Sequence, residues 1–100
     1  MNFKIFLIII GFINPQEQES FEHYASNMRT LYESVDATVV DKYPVVQTLV
    51  SDEKPDFVMV VEFPSQEALV KLFSSEDYKK LVPFREKGFK KLNVFLSKRE

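Results

Sequence analysis

Five polar residues of this chain have side chains that, taken together, are able to move a proton and stabilise an anion. They are Tyr24, Tyr43, Glu62, Tyr78 and Arg85. A carboxylate acts as a general base, a guanidinium stabilises a developing anion, and a tyrosine hydroxyl donates a hydrogen bond. We therefore assign Glu62 as the candidate base, Arg85 as the anion stabiliser and Tyr78 as the donor. Tyr24 and Tyr43 are the candidate ligand-binding neighbours.

The same residues also have a purely structural interpretation. Arg85 pairs with Glu62 or with another carboxylate, and the tyrosines pack with their hydroxyls satisfied. Glu62 is the one charged residue of the apolar run Phe57 to Phe63. Alternation along that strand places it on the face away from the helices, and we expect Arg85 or a tyrosine hydroxyl to stabilise its carboxylate there.

Other catalytic and metal chemistries find little support. His23 is the only histidine, and its neighbours on the predicted helix face are polar, which favours an exposed position. Glu19 lies one turn away, but two ligands on an exposed helix make a weak metal site. The sequence has no cysteine and no HExxH, GxSxG or glycine-rich phosphate motif. A haem would lack its axial ligand, so we predict no cofactor and no metal.

Composition and charge limit the class of protein. One hundred residues predict one small domain, 1–100, that buries about 60–70% of its extended surface on folding and gains stability from a partner. The formal net charge of −2 disfavours nucleic acid or an anionic membrane, since both need a basic face. The lack of cysteine fits a reducing compartment, and we predict a cytoplasmic protein.

In the first segment, Met1 to Ile13, Lys4 is followed by a short apolar run, a pattern that also occurs in secretory signals. No small-residue cleavage site follows, and the run is shorter than the ~20 residues that span a bilayer. Its residues are apolar on both alternating faces, so the segment predicts a central strand that is covered on both sides.

The first helix has clear start signals. Asn14 is a predicted N-cap, Pro15 occupies the first helical position, and Glu17 is placed to close a capping box. An apolar stripe at three- and four-residue spacing follows. It consists of Phe21, Tyr24, Ala25, Met28, Leu31, Tyr32 and Val35.

Two further helical segments follow the Phe57 to Phe63 strand. Ser65 and Ser75 are predicted N-caps, and Gly88 is a predicted helix end. Pro83 lies inside the second of these segments, where it removes a backbone hydrogen bond, so we expect a kink or a fresh turn there.

Two remaining segments have the features of edge strands. Residues Ala37 to Val50 are β-branched but contain Pro44, which cannot donate to a ladder, so we predict an edge strand or a break at that proline. Residues Ser51 to Asp56 form a polar hairpin loop. Leu92 to Ser97 is a short strand for the other edge.

The predicted order is strand, helix, strand, strand, helix, strand, with the two apolar strands in the middle. This is a ferredoxin-like βαββαβ antiparallel sheet with both helical segments on one face. The other face stays apolar, and a second copy of the chain is the simplest cover for it.

The sequence also resembles a known family. The residues that carry the resemblance are Glu62-Phe63-Pro64-Ser65, Glu67-Ala68, Phe73, Ser75, Tyr78 and Arg85, with Tyr24 and Pro55-Asp56 also in place. They resemble the pattern of the domain of unknown function 1330 family, in the dimeric α+β barrel superfamily. Where that family has a double glycine before the second strand, this chain has Ser34-Val35-Asp36-Ala37.

The resemblance implies a homodimer with its sheets face to face and a cavity between sheet and helices. Its superfamily includes cofactor-free monooxygenases, isomerases, haem enzymes and ligand-sensing modules, and the fold alone does not choose among them. Two hypotheses remain. The first is a small-molecule pocket, for binding or for cofactor-independent chemistry on a small apolar substrate. The second is a structural module whose task is dimerisation.

Overall fold

The computed structural model describes residues 4–99, so Met1–Phe3 of the predicted first strand and the terminal Glu100 lie outside the described residues. The strands are β1 (Ile5–Ile13), β2 (Thr38–Pro44), β3 (Phe57–Phe63) and β4 (Phe89–Ser97). The helices are α1 (Gln18–Ser34), α2 (Gln66–Phe73) and α3 (Glu76–Gly88). No helix within residues 4–99 is both long enough and apolar enough to cross a membrane.

The four strands form one antiparallel sheet in the order β2-β3-β1-β4. The predicted ferredoxin-like α+β fold is therefore confirmed, with the apolar strands β1 and β3 in the centre. The edge position of β2 and its end at Pro44 are also confirmed. The strand is shorter than the predicted Ala37 to Val50, because residues 45–56 form the loop to β3.

The two faces of the sheet have different environments. Ile5, Leu7 and Ile9 pair across the strands with Phe63, Val61 and Met59, and these residues pack under the helices in the hydrophobic core. The opposite face, which we call the open face, is not covered by α1, α2 or α3. It contains Phe6, Ile8, Ile10 and Phe12 of β1, Val58, Val60 and Glu62 of β3, and Phe95 of β4.

The start of the first helical segment differs from the prediction in one detail. The Asn14 side chain accepts a 3.0 Å hydrogen bond from the Gln16 backbone N–H, and Pro15–Glu17 forms a 3₁₀ turn before α1. The predicted capping box with Glu17 is wrong. In a capping box the Glu17 side chain would accept a hydrogen bond from the Asn14 backbone N–H. That N–H donates instead to the carbonyl of Gly88, the last residue of α3, at 2.9 Å.

The second helical region begins as predicted. Ser65 accepts from the Ala68 backbone N–H and Ser75 from the Tyr78 N–H, each at 3.1 Å. Of the predicted kink or fresh turn at Pro83, the fresh turn is wrong, because α3 continues through this residue to Gly88. A proline removes one intrahelical hydrogen bond, and the neighbouring turns of α3 are held by buried residues such as Leu81.

The end of α3 lies directly against the start of α1. A Cβ atom placed on Gly88 would lie 2.7 Å from the Phe21 backbone nitrogen and 2.8 Å from the Phe21 Cα. Gly88 has no positive φ, so its role is close approach and not an unusual backbone conformation. The two helices therefore meet backbone to backbone at this point.

Asp36 ends α1 in the left-handed region, with a φ of 59°. The Asp36 N–H donates to the Glu33 carbonyl at 3.2 Å, and the Ala37 N–H donates to the Tyr32 carbonyl at 2.9 Å. This is the pair of bonds of a Schellman motif, whose left-handed position is usually a glycine. Asp36 thus occupies a position in the segment where the similar family has its double glycine.

We expect Asp36→Gly to stabilise the protein by about 0.5–1 kcal/mol, because glycine adopts the left-handed conformation without the Cβ penalty. Asp36→Ala should destabilise it, because alanine keeps the Cβ and tolerates the left-handed conformation less well than aspartate does. Urea unfolding measures both free energies. If glycine and alanine shift the midpoint in the same direction, backbone conformation does not control this site.

Candidate functional site

A cavity of about 240 Å³ lies between α1 and the helix-covered face of the sheet. Its wall is mainly aromatic and aliphatic. Phe21, Tyr24, Met28, Phe57, Met59 and Phe89 form much of it. Phe57 and Phe89 pack with ring centroids 6.3 Å apart. An apolar cavity with a few polar groups is the usual form of a small-molecule site, although this one is smaller than the roughly 300–1,000 Å³ of most such sites.

The cavity also has a polar part. Tyr24 and Tyr32 line it from buried positions on α1. Arg29 of α1 and Lys42 of β2 line it as well, and both side chains belong to exposed residues. The Lys42 Nζ lies 5.2 Å from the centroid of the Phe57 ring. The cavity therefore combines buried hydroxyls with two cations at its rim.

Three of the predicted site residues come together next to this cavity. The Arg85 Nη1 donates a 2.6 Å hydrogen bond to the Tyr78 hydroxyl, and Tyr78 and Arg85 are both close enough to Tyr24 to influence the pKa of its hydroxyl. Only Tyr24 of the three lines the cavity. Phe73, which also lines it, packs edge-on against Tyr78 with centroids 4.8 Å apart, so Tyr78 lies behind the wall.

Burial raises the pKa of both tyrosines in the cavity far above the usual range. For Tyr24 the largest cause is desolvation, followed by the neighbouring Tyr78. For Tyr32 desolvation is again the largest cause, and Tyr78 adds to it. Phenolate charge is disfavoured in such surroundings. At neutral pH both hydroxyls therefore stay protonated, which leaves them able to donate a hydrogen bond to a ligand and unable to act as bases.

These raised pKa values predict a loss of stability at alkaline pH. Above about pH 10 the unfolded chain releases the two phenolic protons, whereas the folded chain keeps them, so the free energy of unfolding falls by about 1.4 kcal/mol per pH unit for each tyrosine. Tyr32→Phe should remove one such contribution. Urea unfolding between about pH 9 and pH 12 measures the slope. Equal slopes for wild type and variant would contradict the buried, protonated Tyr32.

Glu62 does not belong to this cluster. It pairs with Phe6 on β1 and with Thr38 on β2, and so lies on the open face, opposite the side where Tyr78 and Arg85 lie. The prediction that Arg85 or a tyrosine hydroxyl stabilises its carboxylate is wrong. Its ion-pair partner is Lys4, at 3.7 Å. The expected orientation away from the helices is confirmed.

Tyr43 also lies away from the cavity. It pairs with Val58 across the β2–β3 ladder and is 54% exposed. A hydrogen bond to Asp41 raises the pKa of its hydroxyl. His23 is exposed, as predicted, and its ring lies 4.1 Å from that of Phe84. Within residues 4–99, no group of three or more potential metal ligands of the His, Asp or Glu type occurs.

Sequence reasoning missed the two rim cations. Arg29 follows Met28 directly and so borders the apolar stripe of α1. The helical periodicity of the sequence is therefore enough to place Arg29 beside that stripe. Lys42 had no such signal. The β2–β3 register shifts between Val39 and Asp41, so Val39 and Lys42, three residues apart, line the same cavity. Simple alternation places them on opposite faces.

Comparison with known proteins identifies the family to which this chain belongs. The family model described as "Domain of unknown function (DUF1330)" matches residues 7–98. This chain belongs to the DUF1330 family. No curated protein matches the sequence.

Solved structures similar to this DUF1330 chain share its fold. A protein of unknown function from Rhodopseudomonas palustris has a TM-score of 0.89 at 19% identity, over 100% of this chain and 85% of that one. A dimeric protein of unknown function with a ferredoxin-like fold, from Bacteroides fragilis, has a TM-score of 0.62 at 7% identity, over 96% of each chain. SnoaB, a cofactor-independent oxygenase from Streptomyces nogalater, has a TM-score of 0.69 at 7% identity, over 100% and 95%.

Proposed function

We propose that this protein binds a small molecule with an apolar body in the cavity between α1 and the sheet. The observation that carries the proposal is the cavity itself, whose aromatic wall is interrupted by hydroxyl groups of buried tyrosines. Its volume of about 240 Å³ holds about eight water-sized volumes at ~30 Å³ each. The ligand is therefore small, with an apolar surface and a group that accepts hydrogen bonds.

Binding is better supported than catalysis. SnoaB is a cofactor-independent oxygenase, but the catalytic hypothesis for this chain assigns Glu62 as general base, and a general base must lie within hydrogen-bond reach of the proton that it accepts. No carboxylate of residues 4–99 lines the cavity, and Glu62, the candidate base, lies on the open face. Tyr24 stays protonated. The geometry therefore supports a binding site that Tyr24 lines, with the hydrogen-bonded pair Arg85 and Tyr78 behind its wall.

Ala25→Leu tests the cavity directly. Ala25 lines the cavity but is exposed, so a larger side chain there obstructs the space with little cost to folding. Ser26→Leu is the matched control, because Ser26 is exposed on the same helix and does not line the cavity. The probes are phenylacetate and phenylacetamide. Their binding is measured by thermal shift and by NMR of the labelled protein.

We expect wild type and Ser26→Leu to bind at least one probe, with a stabilisation of about 2.7 kcal/mol at 100 times the dissociation constant. Ala25→Leu should lose most of that binding and keep its unfolding temperature without probe. Equal binding by the two leucine variants would show that the probe does not occupy this cavity. Absence of binding in wild type would contradict the proposal.

Dimerisation is the second candidate function, and the open face supports it. That face is apolar along β1 and β3, and Phe95 on the neighbouring strand β4 is 54% exposed. Soluble monomers rarely expose large apolar patches. We propose that a second copy of the chain covers the open face, as the sequence predicted. The two candidate functions are compatible, because the cavity and the open face lie on opposite sides of the sheet.

Sedimentation measures the dimer. Phe95→Glu should convert a dimer into a folded monomer, because it places a charge in the proposed interface. Val70→Glu is the control, since Val70 is similarly exposed, at 53%, but lies on α2. A wild-type protein that sediments as a monomer at micromolar concentration would remove this candidate.

A further inference from the structure

We propose that the ligand is a small aromatic carboxylate, with its ring in the apolar part of the cavity and its carboxylate at the rim between Arg29 and Lys42. This inference rests on the proposed function and adds the chemical class of the ligand. The charged residues of the described chain that line the cavity are these two cations, and no acidic residue in 4–99 lines it. The charge at the opening is thus of one sign.

The position of the two cations defines where the cavity opens. Arg29 lies on α1, and it lines both the cavity and an adjoining hollow of about 310 Å³ together with Val39 of β2. Lys42 lies further along β2 and lines the cavity on the same side as Val39. The opening is therefore between α1 and the edge strand, with one cation on each element.

The two cations are available to a ligand. Within residues 4–99, no carboxylate lies within 4 Å of Arg29 or Lys42, whereas Lys91 and Glu53 form an ion pair at 3.0 Å. Like charges at the opening of an apolar cavity attract an anion, because the low dielectric of the wall concentrates the field.

The rest of the cavity fits the body of such a ligand. The rings of Phe57 and Phe89 provide surfaces against which an aromatic ring packs, and the chain has no room there for a large molecule. A guanidinium holds both oxygens of a planar carboxylate, and an ammonium adds a point charge. The Tyr24 and Tyr32 hydroxyls are protonated donors deeper in the wall, which suits a ring that bears an oxygen substituent.

One acidic residue opposes the proposed interaction. Glu33 lies one turn after Arg29 on α1 and lines the adjoining hollow with it, although it does not line the cavity. Its charge weakens the field that an anion meets at the rim. Glu33→Gln should therefore increase the affinity for an anionic probe and leave the affinity for a neutral one unchanged.

The test compares phenylacetate with phenylacetamide, which has nearly the same shape and no charge, and with acetate, which lacks the ring. Dissociation constants are measured by NMR titration at neutral pH with wild type, with Arg29→Gln/Lys42→Gln and with the charge-matched control Lys80→Gln/Lys98→Gln. Lys80 and Lys98 are exposed and do not line the cavity. The unfolding temperature without probe confirms that each variant is folded.

We expect wild type and the control variant to bind phenylacetate about tenfold more tightly than phenylacetamide, which corresponds to about 1.4 kcal/mol. The Arg29/Lys42 variant should bind both probes equally. Its affinity for phenylacetamide should stay within about twofold of the wild-type value. Acetate should bind far more weakly. The preference should also shrink as salt is added, because the rim is exposed.

The failures of the two proposals are distinguishable. If phenylacetamide binds as tightly as phenylacetate, the cavity is a small-molecule site without preference for an anion, and the carboxylate inference is wrong. The same conclusion follows if the preference survives in the Arg29/Lys42 variant. If neither aromatic probe binds to wild type, the proposed function fails, and the inference fails with it.

Discussion

Gly88→Ala is expected to lower the free energy of unfolding by about 2–3 kcal/mol. The added Cβ would lie within 3 Å of the nitrogen and Cα of Phe21, which are backbone atoms and have no alternative rotamer. To make room, α1 and α3 must separate. That movement also stretches the 2.9 Å bond from the Asn14 N–H to the Gly88 carbonyl and the 3.2 Å bond from the Asn14 side chain to the Lys87 carbonyl.

The sign of this effect distinguishes the contact from helix propensity. In an open helix position alanine is about 1 kcal/mol more favourable than glycine, and Gly88 has no positive φ that would disfavour alanine. The expected loss corresponds to a decrease in unfolding temperature of roughly 10–20 °C for a domain of this size. Glu86→Ala, at an exposed position of the same helix, should change that temperature little. A stabilised Gly88→Ala variant would contradict the close approach.

Phe63→Ala should have the largest effect on stability, about 4 kcal/mol within the 3–5 kcal/mol range for buried phenylalanines. Phe63 is 0% exposed, its ring packs edge-on against Tyr32 with centroids 6.0 Å apart, and it pairs with Ile5 of the central strand. Alanine leaves a void among these residues. Such a loss is a large part of the roughly 5–15 kcal/mol that stabilises a small domain.

Glu62→Ala is the matched control, one residue away on the opposite face. The Glu62 side chain is 26% exposed, and its ion pair with Lys4 at 3.7 Å is of the partly exposed kind that contributes about 0–1 kcal/mol. Phe63→Leu keeps the protein measurable if the alanine variant does not fold. All variants are compared by urea unfolding at one protein concentration. Equal losses for Phe63→Leu and Glu62→Ala would show that the core does not lie on the helix side of β3.

The fold was accessible to sequence reasoning because each element has its own local signal. Seven consecutive residues with a single charge, Phe57 to Phe63, identify a central strand, and Pro44 identifies an edge. Ser65 and Ser75 mark helix starts through hydrogen bonds that involve only neighbouring residues. Such signals depend on the chain nearby and not on its tertiary contacts.

The candidate site was less accessible, because it depends on contacts between distant elements. Tyr78 and Arg85 lie two turns apart on α3, and their hydrogen bond follows from helical spacing. The predicted partnership of Arg85 with Glu62 failed, because strand alternation places Glu62 on the far side of the sheet. Lys42 reaches the cavity only through the irregular register of β2, which no pattern of residue types reveals.

The contact between Gly88 and Phe21 also has a consequence for the way in which a ligand enters and leaves. Because α1 and α3 approach backbone to backbone there, we expect them to move together, and we expect separation of the helices to be a slow route into the cavity. The other boundary of the opening is β2, an edge strand that is hydrogen-bonded on one side only. Transient release of this strand requires fewer bonds to break. Amide hydrogens of Val39 and Lys42 should then exchange faster than those of β1, and the rate of ligand exchange should follow the opening of that edge.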